Sequence, residues 1–371
     1  MSHAFAVVTG GGTSGHVIPA RAILDALHEA GHDVDTLKYV GSKRGVERRL
    51  LQDVSYECVF LPISGLQRSL SLKSLVRNLA LPVRLVRSRR AARALLRQWQ
   101  PSVVVSVGGY ASVPMSSAAV AAGIPLVCVS YDRVPGLATR RQSRHAHTCA
   151  VAFSGAALPH EVVTGAPVRT ELRHLDVALH RSSARARLGI SQTALMVVVV
   201  GGSLGSAQIN SMVDQLLIAL STTELPEVVV HHVCGARFVQ EPLPAVPSHV
   251  TYQRVGYDDR MVDLYAALDV FVGRAGASTV AEIATVGVAA VLVPWSGASD
   301  DHQTLNAAWL GEANGAVVFS DVQCGNGEVT AQIIGLLSHP DHRARLAEAA
   351  HALGRLHRGD ALVRAIENAA R

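Results

Sequence analysis

The 371-residue sequence is poor in aromatic side chains, at 4 %, and its five cysteines (Cys58, Cys128, Cys149, Cys234, Cys324) form no C-x-x-C pair. An odd number of scattered thiols argues against a disulfide framework and against a structural zinc site, and suits a reducing compartment. No apolar run reaches the roughly 18 residues that a spanning helix needs. The opening Met1-Ser2-His3-Ala4 has neither a basic n-region nor a long apolar h-region, so no secretory signal is expected. Two common nucleotide fingerprints are also missing. No G-x-G-x-x-G with an acid about 20 positions on is found, and no Gly-Lys-Ser/Thr follows a glycine loop. The pairs Asp258-Asp259 and Asp300-Asp301 fit helix starts better than a metal site, so neither a metal nor a cofactor is expected.

What is present is a pair of strand–glycine–helix units. The apolar run 5–8 feeds Gly10-Gly11-Gly12-Thr13-Ser14-Gly15-His16, followed by a helical pattern over 20–30. About halfway along, the valine-rich run 195–200 feeds Gly201-Gly202-Ser203-Leu204-Gly205-Ser206 and a helical pattern over 207–220. Such a turn aims backbone N–H groups and a helix dipole at one point, and phosphate is the ordinary guest. A tight turn is the plainer reading of one glycine cluster; two at the heads of two halves weaken it. Strand-like runs alternate with helical ones, which predicts two doubly wound α/β domains with parallel sheets. The expected division is 1–165, 166–345 and a helical tail, 346–371, free to close the second domain or cross back over the first.

Further glycine turns follow apolar runs at Gly108-Gly109-Tyr110 and at Gly273-Arg274-Ala275-Gly276, the latter leading into a Ser/Thr-capped helix with Glu282 one turn in. Ligands of open α/β sheets bind at that edge. A cleft with glycine loops on both sides suits a nucleoside diphosphate, with Glu282 accepting from a ribose diol. His16, at a loop end and titrating near neutral pH, is the candidate acid/base among 17 histidines. The stretch 64–100 combines leucines and valines with nine basic residues and no acid, and Pro82 divides it into two helical pieces. An anionic membrane surface and a packed helix pair with a solvated basic face both account for it. Only Trp99 offers base stacking there, which argues against nucleic acid.

These segments together resemble the MurG family of peripheral membrane glycosyltransferases. The resemblance runs through 11–20, the Gly108-Gly109-Tyr110 turn, Gly165-Ala166-Pro167-Val168-Arg169, Gly201-Gly202-Ser203, 274–282 and 302–307. It implies a GT-B fold of two Rossmann-like domains facing across a cleft. It also implies inverting transfer of N-acetylglucosamine from UDP-N-acetylglucosamine to the carbon-four hydroxyl of a polyprenyl-pyrophosphate-linked muramoyl-pentapeptide, in peptidoglycan synthesis at the cytoplasmic face of the membrane. By the same resemblance Glu282 holds the ribose, Ala277, Ser278, Thr279, Val280 and Ala281 line the nucleotide, and backbone at Tyr257 meets the uracil. Ser203 and Arg169 reach the diphosphate or nearby donor groups, and Gln303, with His302 beside it, reads the donor sugar. Thr13, Ser14, Gly15 and His16 meet both substrates on the cleft floor, Tyr110 lies on the acceptor side, and 66–97 faces an anionic membrane. Where family members carry His-Glu-Gln-Asn this chain has Val129-Ser130-Tyr131-Asp132, and Leu204 replaces a glutamine. Asp132 is thus a second candidate base. Other readings of the same fold are a transferase with another acceptor, a UDP-N-acetylglucosamine epimerase and a non-catalytic UDP-sugar-binding paralogue.

Overall fold

The computed structural model describes residues 3–43, 45–63 and 81–371. The chain forms two compact units, Met1–Thr170 with Gly359–Arg371, and Glu171–Arg358.

The first unit is built on a seven-stranded sheet in the order β3-β2-β1-β4-β5-β6-β7. Its strands are β1 (Ala6–Thr9), β2 (Leu37–Ser42), β3 (Glu57–Leu61), β4 (Val103–Ser106), β5 (Leu126–Ser130), β6 (Thr148–Val151) and β7 (Glu161–Val163). Every pairing is parallel. β1 and β4 are buried throughout, as β-branched runs covered by helices on both faces should be. Val7, Val104 and Leu126 pack with Met115, Ala118 and Ala119 from helix Gly109–Ala121, and with Leu96 and Trp99 from helix Leu81–Trp99. Strand order reverses between β1 and β4, whose ends Thr9 and Ser106 pair directly. The glycine turns 10–12 and 108–109 therefore leave the sheet side by side.

The second unit repeats the design with six strands in the order β10-β9-β8-β11-β12-β13. These are β8 (Leu195–Val200), β9 (Val228–Val233), β10 (Val250–Val255), β11 (Val270–Gly273), β12 (Ala290–Leu292) and β13 (Val317–Val318). Helix Ala207–Leu220 lays Ile209, Met212, Val213, Leu216, Leu217 and Leu220 on the sheet, the spacing of a single apolar stripe. The reversal falls between β8 and β11, again beneath two glycine turns.

Several elements differ from the sequence expectation. β6 and the two-residue β13 are strands not expected from the sequence, the latter being too short for periodicity to reveal. The first helix starts at Ser14 rather than at 20, directly out of the glycine loop. Helix Val177–Leu188 is N-capped by Asp176, whose side chain accepts from the Leu179 N–H. The helix after β11 has Gly276, not a serine or threonine, at its N-cap. The 345/346 position falls inside helix Pro340–Arg358, which stays with the second unit. Gly354 fixes that helix against Ala277–Val286, since a β-carbon there would lie 1.9 Å from the Ala284 carbonyl oxygen. Helix Ala361–Ala369 buries Leu362, Val363 and Ile366 in the first unit, and its Glu367 meets His32 at 3.0 Å. All five cysteines are free thiols. The portion of the basic stretch before 81 lies outside the described residues.

Candidate active site

In the first unit, β1 delivers its glycine turn directly into helix Ser14–Glu29. Gly11 and Gly12 hold φ values of 137° and 92°, conformations that favour glycine. The Tyr39 hydroxyl donates to the Gly10 carbonyl at 2.9 Å, and the Gly12 N–H donates to Glu47 Oε1 at 2.7 Å. His16 Nδ1 lies 3.1 Å from Thr13 Oγ1, and a β-carbon on Gly109 would touch the imidazole at 3.3 Å. The Tyr110 ring covers Gly12, within 2.5 Å of where a β-carbon would stand. The Tyr131 hydroxyl donates to the Gly15 carbonyl at 2.6 Å, clasping the loop from β5. His16, Tyr110 and Asp132 line one cavity of about 1000 Å³, walled by apolar residues including Val113, Leu126 and Leu137. Burial pushes the His16 pKa below the ordinary imidazole value, and the Asp132 carboxylate partly offsets that shift. Its imidazole is therefore neutral at pH 7, the form that accepts a proton.

In the second unit the candidate residues follow the carboxyl ends of β8, β10, β11 and β12. Ser203 is exposed on the turn after β8, and Tyr257 is exposed after β10. No side chain caps helix Ala277–Val286, so the N–H groups of Ala277, Ser278 and Thr279 are not taken up by a cap. Glu282 is buried one turn in and accepts from the Tyr265 hydroxyl at 3.2 Å. Gln303 Oε1 accepts from the Trp295 N–H at 3.0 Å, which leaves the amide N–H₂ as the group's donor. His302 opens the same helix, His302–Gly311. One buried guanidinium ties these turns together. Arg274 donates to Ser206 Oγ at 2.7 Å, to Gln208 Oε1 at 2.8 Å, to the carbonyls of Val293 and Pro294, and to the Asp321 carboxylate. Asp321 in turn accepts from the Ser296 N–H at 2.9 Å. These partners hold the Asp321 carboxyl below its usual pKa against the opposing effect of burial.

Thr13, Ser14, Gly15, His16, Tyr110 and Asp132 thus belong to the first unit, and Ser203, Tyr257, Ala277, Ser278, Thr279, Val280, Ala281, Glu282, His302 and Gln303 to the second. Arg169 falls in the last residues of the first unit's main segment. Sequence reasoning missed Glu47, Tyr131, Tyr265 and the Arg274–Asp321 pair. Glu47 resembled an ordinary helix-start acid, and Asp321 is 47 positions from its partner. Among the described residues no group of three His, Cys, Asp or Glu side chains is arranged to hold a metal ion.

Two Rossmann-like domains, each with its candidate residues at a strand-order reversal, are the architecture of GT-B enzymes. Family models agree: residues 6–151 match the glycosyltransferase family 28 N-terminal domain, and 196–359 the family 28 C-terminal domain. The UDP-N-acetylglucosamine–N-acetylmuramyl-(pentapeptide) pyrophosphoryl-undecaprenol N-acetylglucosamine transferase of Acidothermus cellulolyticus is 34 % identical over 368 residues, covering 98 % of this chain and 97 % of its own. The crystal structure of Acinetobacter baumannii MurG superposes with a TM-score of 0.70 at 27 % identity, over 99 % of both chains. A UDP-GlcNAc 2-epimerase from Neisseria meningitidis shares the fold alone, with a TM-score of 0.66 at 12 % identity over 99 % of this chain and 100 % of its own. The chain belongs to the MurG family.

Proposed function

We propose that this chain transfers N-acetylglucosamine from UDP-N-acetylglucosamine to the carbon-four hydroxyl of undecaprenyl-pyrophosphoryl-N-acetylmuramoyl-pentapeptide, converting lipid I to lipid II. The observation that carries this reading is likeness along 98 % of the chain to an enzyme named for that transfer. The second unit holds the donor. Glu282, oriented by Tyr265, accepts from the ribose hydroxyls, and the uncapped N–H groups at 277–279 line the nucleotide. Ser203 and Arg169 meet the diphosphate or nearby donor groups, backbone at Tyr257 the uracil, and the amide of Gln303, beside His302, the sugar. The first unit holds the acceptor, with Tyr110 and Asp132 beside it.

The chemistry is one in-line displacement. Neutral His16 takes the proton from the acceptor O4, aided electrostatically by Asp132. That oxygen attacks the anomeric carbon from the face opposite UDP, the carbon–oxygen bond to the diphosphate breaks, and configuration inverts. Fixed backbone donors stabilise the departing charge without reorganising.

An anionic membrane surface is the partner of the basic helix. On Leu81–Trp99, Ser88, Ala92, Leu96 and Trp99 are buried, while Val83 and Val86 stand 55 % and 49 % exposed among Arg87, Arg90 and Arg93. Apolar side chains ringed by arginines suit a headgroup layer. No described helix is long and apolar enough to cross a membrane. The reaction is tested with labelled UDP-N-acetylglucosamine and a short-chain polyprenyl-pyrophosphoryl muramoyl-peptide. Release of UDP only when the lipid is present is expected. Release without it, or none with it, contradicts the reading.

A further inference from the structure

Glu47 lies directly beneath the first glycine loop and is 1 % exposed. Its Oε1 accepts from the Gly12 N–H at 2.7 Å and from the Ser42 N–H at 3.1 Å. Among the described residues its Oε2 has no hydrogen-bond partner. Two glycines make room for the carboxylate: a β-carbon on Gly11 would fall 2.3 Å from Oε1, and one on Gly45 would fall 2.1 Å from Oε2. One of the N–H groups that a strand–glycine–helix turn ordinarily offers to a phosphate, that of Gly12, is here already given to a buried acid of the chain. The second unit's loop, 201–206, contains no acid, and among the described residues no carboxylate bonds to its backbone.

We propose that Glu47 is the resident anion of the first loop: it sets the turn that places Thr13 and His16, and it bars a substrate phosphate from that turn. The two glycine loops are thus alike in sequence and opposite in use. The first receives a neutral, hydroxyl-bearing part of a substrate; a diphosphate seats elsewhere. Two negative charges about 5 Å apart at an effective dielectric of about 20 repel strongly enough to weaken anion binding on the order of 100-fold. Assigning the neutral part to the acceptor sugar rests on the transfer reading above; exclusion of phosphate does not.

Two measurements test the proposal. Crystals of the wild-type protein soaked in inorganic pyrophosphate should show no anion within hydrogen-bond reach of the Gly12 N–H. An anion bound there overturns the proposal, whether or not the protein transfers sugar. In solution, Glu47→Gln retains an acceptor oxygen for Gly12 and Ser42 while removing the charge. Pyrophosphate inhibition competitive with the lipid acceptor should then strengthen tenfold or more over wild type, with UDP inhibition against the donor unchanged. Equal pyrophosphate inhibition in the two proteins contradicts the proposal. If the glutamine variant fails to fold, Glu47→Asp keeps the charge but shortens the reach. It should lower kcat through the displaced loop while leaving pyrophosphate as weak an inhibitor as in wild type; an unchanged kcat contradicts the positioning role.

Discussion

His16 serves as a base only while its imidazole is neutral, and burial favours that form. The acid limb of kcat/KM is therefore expected below pH 6.5, the ordinary imidazole value. Asp132 raises the His16 pKa, so Asp132→Asn should move the limb to still lower pH, with a fall in rate if the carboxylate also steadies the imidazolium. A limb that moves upward in a pH–rate profile contradicts the pairing. On the donor side, Glu282→Ala removes a charged acceptor from the proposed ribose site. Hydrogen bonds to charged groups are worth about 1.5–3 kcal/mol, so the KM for UDP-N-acetylglucosamine should rise roughly 10- to 100-fold. Tyr265→Phe should show a smaller loss of the same kind, because it only orients Glu282. His16 and Glu282 were legible in the sequence because each ends a recognisable local pattern. Tyr265 was not, since its hydroxyl reaches a residue 17 positions away on another helix.

Among the elements, the strands and glycine turns could be read from short-range patterns of apolar runs broken by glycine. Their mutual ties could not: Glu47 acts across 35 positions and Arg274 across 47. The contact of Pro340–Arg358 with Ala277–Val286 is of the same hidden kind. Gly354→Ala must push the two helices apart, because the added carbon meets backbone rather than a flexible side chain. Overpacking of this sort costs typically 1–3 kcal/mol, and the thermal midpoint should fall accordingly. The displaced helix carries Glu282, so donor affinity should fall with it. The basic helix makes a separate prediction. Arg87 and Arg90 are exposed, and each arginine near an anionic surface contributes about 1 kcal/mol. The double change to glutamine should weaken co-sedimentation with phosphatidylglycerol vesicles tenfold or more and flatten its salt dependence, with UDP binding unaltered. Equal binding of both proteins contradicts membrane docking through this helix.

At the level of the whole molecule, the fold class followed from composition and repetition: two halves that each open on a strand, a glycine turn and a helix, in a chain too long for one small core. That the tail crosses back to the first unit was one of two alternatives the sequence left open; where it does so, at 358/359, was hidden, because helix Pro340–Arg358 and helix Ala361–Ala369 read as one continuous helical tail. Stability should also depend on pH through two buried histidines of the second unit. His232 and His357 are both lowered to about 4 by burial and by nearby Arg254 and Arg358 respectively. Unfolding returns them to about 6.5, so the unfolded chain binds more protons between those values. Their stabilisation is complete above pH 6.5 and is lost progressively as pH falls through 4, which chemical denaturation across that range would register as a falling midpoint. The central claim concerns what the molecule makes, and the linkage of the product tests it most directly. NMR and mass analysis of material formed from UDP-N-acetylglucosamine and the lipid-linked muramoyl-peptide should reveal one added N-acetylglucosamine, β-linked to carbon four. An α linkage, another position, or conversion of the donor to an epimer without transfer would contradict it.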